Sequence, residues 1–195
     1  MVGIETDDSK GTKGVAGNER RKMSRVRYNV AMSLDGFLAD PDGGYDWIIT
    51  DPTIDFEGLY KNYDFALMGR RTFEVAERGP GAAISGMQTI ICSRSLRPRD
   101  FPKFKITEDA ASTVADLKRS SGKDIWLFGG GNLFRSLLDA ALVDTIEASI
   151  MPIILSEGVP LLPAGRRSPR LQLTRHVVRP SGIVTLNYEV LYGKG

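Results

Sequence analysis

The chain has 195 residues, 42% of them apolar, which suits one domain with a single sizeable core. Its 26 basic and 24 acidic side chains leave a formal charge of only +2, so a nucleic-acid partner is disfavoured. No run approaches the roughly 20 apolar residues of a membrane span, and no apolar signal-peptide centre is present, so the expectation is a soluble, cytoplasmic protein without membrane association.

The first 24 residues, rich in Gly, Lys, Asp, Glu and Thr, offer almost nothing to bury and read as a disordered tail before a domain over 25–193. "VRYNVAMSL" is apolar and extended, "FEGLYKNY" has helical spacing, and "FALMG" is a short strand ending in glycine. The helix "RRTFEVAER" and the strand "QTIICS" follow. "DAASTVADLKRS" is the next helix, starting at Asp109 or Ser112, and "DIWLF" the next strand. In "NLFRSLLDA" Leu133, Phe134, Leu137 and Leu138 follow the spacing of an apolar helix face. Beyond it helices stop, and "VDTIEASIMPIIL", "LQLTRHVV" and "VTLNYEVLYG" are extended. Alternation followed by a strand-rich end predicts an α/β/α sandwich, its central sheet mostly parallel with an antiparallel C-terminal edge.

Several chemistries are disfavoured by count. Cys92 is the only cysteine and His176 the only histidine, so a zinc site or a C-x-x-C redox pair is not available, and no metal is expected. A Ser/His/Asp triad would have to pass through His176, and no G-x-S-x-G turn is present.

Three strand ends carry residues suited to phosphate: "MGRRT" (68–72), "SRS" (93–95) and "FGGGN" (128–132). In an open α/β sheet ligands collect beyond the carboxyl ends of the strands, where these loops can share a crevice. A strand feeding a helix through glycine exposes N–H groups with partial positive charge and lets an anion approach the backbone. Taken singly, each has an ordinary reading: a tight turn at the glycines, surface ion pairs of Arg70 or Arg71 with Glu74 or Glu77.

In this order these motifs resemble the dihydrofolate reductase fold, particularly the reductase family related to the C-terminal domain of the riboflavin-biosynthesis deaminase-reductase. "VAMSLDGFLA" resembles its first strand and following loop, "MGRRTFE" its cofactor-facing helix start, and "IWLFGGGNLFRSLL" its glycine-rich cofactor turn. The resemblance implies NADPH. Gly69, Arg70, Arg71 and Thr72 would hold the pyrophosphate and 2′-phosphate side, and Ser93 and Arg94 would flank the adenosine 2′-phosphate. Phe128, Gly129, Gly130, Gly131, Asn132 and Leu133 would support the pyrophosphate, and Ala31 would offer backbone groups to the nicotinamide carboxamide. It also implies a cis peptide between Gly129 and Gly130.

For the proton that accompanies hydride transfer, the resemblance points to Asp55, whose ordinary reading is a helix N-cap, and to Asp35 in "SLDG", whose ordinary reading is a turn with Gly36. Tyr45 and Trp47 offer either an aromatic lid or core packing. Met87 stands where true dihydrofolate reductases carry the arginine that grips the folate carboxylate, which disfavours folate. The expectation is an NADPH-dependent reductase of a small heterocyclic or phosphoribosyl pyrimidine or pteridine compound, including 5-amino-6-(5-phosphoribosylamino)uracil reductase activity, with a homodimer built on the apolar C-terminal strands. The alternatives are a non-catalytic NADPH-binding or sensing module of the same fold, and a structural subunit whose glycine turns are only turns.

Overall fold

The computed structural model describes residues 23–193 apart from Ser85 and Ser121; the tail expected over 1–24 lies almost wholly outside the described residues. The described residues form ten strands and four α-helices. In chain order they are β1 (Val26–Ser33), β2 (Phe37–Ala39), α1 (Phe56–Tyr60), β3 (Tyr63–Gly69), α2 (Arg70–Glu77), β4 (Gln88–Cys92) and β5 (Lys105–Thr107). Then follow α3 (Ala110–Arg119), β6 (Asp124–Gly129), α4 (Gly131–Asp139), β7 (Thr145–Met151), β8 (Val159–Pro160), β9 (Arg170–Val178) and β10 (Val184–Leu191).

Eight strands form one sheet in the order β5-β4-β3-β6-β1-β7-β10-β9, parallel as far as β7, with β10 antiparallel to both β7 and β9. The mostly parallel sheet with its antiparallel C-terminal edge is therefore as expected. The sequence reading missed β2, β5 and β8, each of two or three residues and too short to show a period. It also carried the first helix too far. Asp55 starts α1 by accepting the Gly58 N–H at 2.8 Å, but the helix ends at Tyr60, and Tyr63 opens β3.

Alternate residues of the central strands enter opposite cores. Leu67 and Ile90 face the layer of α3 and α4 with Val114, Phe134, Leu137 and Leu138, whereas Met68 and Ile91 face Phe73 of α2. Phe73 meets Phe101 and Phe104 edge-on, each at 5.1 Å. Strands buried on both faces read as continuous apolar runs, which is why "FALM" and "TIIC" lack a period-two pattern. Among the described residues no helix is long and apolar enough to cross a membrane.

A buried carboxylate fastens the connector before α1 to the β9–β10 hairpin. Asp51 is 4% exposed and accepts hydrogen bonds from Ser181 Oγ (2.5 Å), Thr53 N (2.8 Å) and Thr53 Oγ1 (2.6 Å), while Arg179 Nη1 donates to Thr53 Oγ1 at 2.6 Å. The Ser181 hydroxyl above all, then the hydroxyl and the backbone N–H of Thr53, hold this carboxyl down to about 2. Stabilisation from a depressed carboxyl is complete above its unfolded value of about 3.9 and is lost as pH falls through the native value. Asp51→Asn should therefore lower the melting temperature at pH 7, with the gap from wild type closing between about pH 4 and pH 2.

The opposite situation holds at Tyr28, fully buried and stacked on Phe134 at 4.0 Å, whose hydroxyl has no hydrogen-bond partner. Removing an unsatisfied buried hydroxyl while keeping the ring gains about 1 kcal/mol. Tyr28→Phe should raise the melting temperature by roughly 2 to 4 °C in thermal unfolding followed by circular dichroism.

Candidate functional site: a crevice between two glycine turns

Strands β3 and β6 are neighbours, with Met68 opposite Gly129. Helix α2 leaves β3 toward one face and packs with the Met68 and Ile91 core, while α4 leaves β6 toward the other and packs with the Leu67 and Tyr28 core. Two adjacent parallel strands whose helices depart to opposite faces form a topological switch point, the place where an open α/β sheet holds ligands.

The two turns touch. A Cβ built on Gly69 would lie 3.7 Å from Gly130 N and 3.7 Å from Leu133 Cβ, and one built on Gly130 would lie 3.0 Å from Thr72 Oγ1. The structure thus brings together Gly69, Thr72, Gly129, Gly130 and Leu133, as the motifs had suggested. The Gly129–Gly130 peptide is cis. Gly131 is buried on its other side by the carbonyls of Pro160 and Leu161, 3.0 and 3.1 Å from a Cβ at that position. Asn132 is exposed on the first turn of α4.

The helix ends differ in how their first N–H groups are satisfied. Helices α1 and α3 are capped by Asp55 and Asp109, which accept from Gly58 N at 2.8 Å and Ser112 N at 2.9 Å. The N-caps of α2 and α4 are Gly69 and Gly130, which have no side chain to accept anything. The helix ends at the crevice therefore keep donors and partial positive charge available for an anion.

Beside them lies a cavity of about 530 Å³ lined by Arg94, Ser95, Leu96, Arg97, Pro98, Arg99 and Glu108. Arg70 reaches toward it, donating to Ser95 Oγ at 3.1 Å while also forming the surface ion pair with Glu74 at 3.4 Å. Arg71 and Arg94 are exposed. Ser93 departs from its expected role: it is only 7% exposed, and its hydroxyl accepts from Ser95 N at 3.2 Å and Leu96 N at 3.1 Å. It builds the turn, and Ser95 is the hydroxyl that lines the cavity. Alternate hydroxyls and arginines in "SRSLRPR" carried that signal, along with Arg97 and Arg99, which the sequence reading passed over.

On the face where α1 packs, aromatic rings line up: Phe56 to Tyr60 at 6.2 Å, Tyr60 to Trp126 at 5.5 Å, and Trp126 to Phe128 at 5.0 Å. Phe56 and Tyr45 remain 47% and 53% exposed, large flat surfaces still open to a ligand. Trp47 is half-buried and donates from its indole to Gly44 O at 3.3 Å. Asp55 is exposed at the head of this row. Ala31 stands opposite Ser149, two residues before the end of β1.

Asp35, the other acid, is already engaged. Its carboxylate accepts from Leu155 N at 3.2 Å and Ser156 N at 2.7 Å. The Ser33 hydroxyl, followed by these backbone donors, holds it below the usual carboxylate range. Burial pushes the Cys92 thiol up to about 12, so it remains protonated and unreactive near neutral pH. His176 is exposed on β9, and among the described residues no three His, Cys, Asp or Glu side chains converge as a metal site.

Comparison with known proteins agrees with this layout. YyaP of Bacillus subtilis, an uncharacterized protein, is 29% identical over 179 residues, covering 86% of this chain and 95% of its own. A deaminase/5-amino-6-(5-phosphoribosylamino)uracil reductase of Thermotoga maritima matches with a TM-score of 0.65 at 16% identity, over 87% of this chain and 57% of that one. Dihydrofolate reductase of Enterococcus faecalis, solved with NADP(H), matches with a TM-score of 0.61 at 16% identity, over 85% of this chain and 94% of that one. The sequence profile of the RibD C-terminal domain matches residues 24–185, most of the chain, which shows that the protein belongs to that family.

Proposed function

We propose that the protein is an NADPH-dependent reductase that transfers a hydride to a small, flat heterocycle. The carrying observation is the convergence of two helix N-termini without side-chain caps on one glycine turn, next to an arginine-lined cavity. The donor set fits a dinucleotide with an extra phosphate: N–H groups of α2 and α4 for the pyrophosphate, with Thr72 beside them, and Arg70, Arg94, Ser95 and Arg97 for the 2′-phosphate. When bound, the nicotinamide supplies the hydride. The chain's part is to fix distances, exclude water and manage one proton.

The exposed rings of Phe56 and Tyr45 supply stacking surface for a planar ring, with the row from Tyr60 to Phe128 behind Phe56, and Asp55 beside Phe56 is the proposed proton donor. Asn caps a helix about as well as Asp. Asp55→Asn should therefore leave the melting temperature within about 2 °C of wild type. Turnover should fall about 100-fold or more where the carboxyl delivers the proton. The assay is NADPH oxidation against a panel of pteridines and pyrimidines that includes 5-amino-6-(5-phosphoribosylamino)uracil-type compounds. Cofactor binding without turnover across that panel would favour a sensing module.

For the cofactor, a hundredfold excess of NADPH over its Kd stabilises the folded state by about 2.7 kcal/mol, a rise in melting temperature of roughly 5 to 10 °C. NADH should give much less, and Arg94→Ala should weaken NADPH while leaving NADH binding nearly unchanged. No thermal shift with either nucleotide at millimolar concentration would rule this reading out.

The edge strand β9 supports a homodimer. Its residues are exposed apart from half-buried Val177, with Leu171 at 44%, Leu173 at 50% and Val178 at 69%, and its outer edge has no strand partner. A second copy meeting it about a two-fold axis would cover these side chains. Light scattering after size exclusion should give twice the chain mass, and Leu171→Glu with Leu173→Lys should return it to monomer.

A further inference from the structure

Asp35 accepts two backbone hydrogen bonds from the segment that follows β7. The segment 153–161 leaves β7, crosses the connector that follows β1, and arrives at the start of α4. At its near end Leu34 N donates to Ile153 O at 2.8 Å; at its far end Leu161 N donates to Gly36 O at 2.9 Å. Between them lies the turn at Leu155 and Ser156, whose consecutive N–H groups both point at the Asp35 carboxylate, one oxygen each.

Ser156 has φ of +69°, in the left-handed region that a side chain with a Cβ avoids. Nothing in serine itself selects that conformation, so its surroundings must hold it. Two residues on, a Cβ at Gly158 would fall 2.1 Å from Ala39 O, so the segment presses its backbone against β2. Two residues further, β8 presents the carbonyl of Pro160, and then Leu161 its own, to the buried side of Gly131. A short path of backbone contacts therefore runs from the Asp35 carboxylate to the first residue of α4.

We propose that Asp35 is a positioning residue: its carboxylate holds Ser156 in the left-handed conformation and thereby keeps strand β8 seated against the N-terminus of α4, where the cofactor phosphates are proposed to bind. Here each N–H has its own carboxylate oxygen, whereas asparagine, with one oxygen and one NH₂, would turn a donor toward one of them. Donors to the charged form, the Ser33 hydroxyl first and then these two N–H groups, hold the carboxyl below its ordinary range. The proposal concerns this chain's own backbone; its consequence for NADPH rests on the function proposed above.

The test pairs Asp35 with Ser156. In the ligand-free protein, hydrogen exchange followed by mass spectrometry should show the amides of 155–161 exchanging at least tenfold faster in Asp35→Ala than in wild type. Adding Ser156→Gly should recover at least threefold of that change, because glycine takes positive φ without being held there. Ser156→Gly alone should stay within twofold of wild type. The Kd for NADPH, read from nicotinamide fluorescence, should follow the same order, about tenfold weaker in Asp35→Ala and partly restored in the double variant. If Asp35→Ala does not fold, Asp35→Asn takes its place, with the same order expected. Exchange within twofold of wild type in the Asp35 variant, or no recovery from Ser156→Gly, overturns the proposal. Failure of wild type to bind NADPH overturns the functional reading alone, since the exchange measurement needs no ligand.

Discussion

The crevice rests on how closely two strand-to-helix turns approach one another. Parallel pairing of β3 with β6 sets Met68 opposite Gly129, and at that spacing the turns that follow come into van der Waals contact. A Cβ at Gly130 would sit 3.0 Å from the Thr72 hydroxyl oxygen, closer than such atoms normally come. Because the helices then depart to opposite faces of the sheet, their N-termini meet at one point although their bodies pack in separate cores. The partial charges of two helices add at a single place, which neither helix could achieve alone.

What surrounds that point is graded in charge and polarity. Arginines and a serine line the cavity on the β4 side, and aromatic rings line the face near α1. A ligand that is anionic at one end and planar at the other would span the two regions. Helix capping differs in step: aspartates cap α1 and α3, and glycines leave α2 and α4 without a side-chain cap.

Aspartates also tie the irregular connections to the sheet, and each does so through a different geometry. Asp51 is buried and collects hydroxyls from two segments, joining the connector before α1 to the β9–β10 hairpin. Asp35 is exposed and collects backbone N–H groups. Both are held ionised by donors that water would otherwise replace, so these connections depend on the carboxylate charge rather than on apolar burial.

The long elements could be read from the sequence because their signal is local. Leu133, Phe134, Leu137 and Leu138 announce α4, the continuous apolar runs announce buried parallel strands, and glycines at the ends of β3 and β6 mark the turns. Those same motifs, in order, were enough to point to the family. Three things were decided only by tertiary structure. The hydroxyl facing the arginine cavity is Ser95, because the buried turn turns Ser93 inward. Asp35 finds its partners about 120 residues away, at Leu155 and Ser156, a pairing no local pattern encodes. The meeting of the two glycine turns depends on β3 and β6 being neighbours although α2, β4, β5 and α3 separate them in the chain. Period and composition fix which segments become strands and helices; which of them touch is fixed by the order in which strands pair.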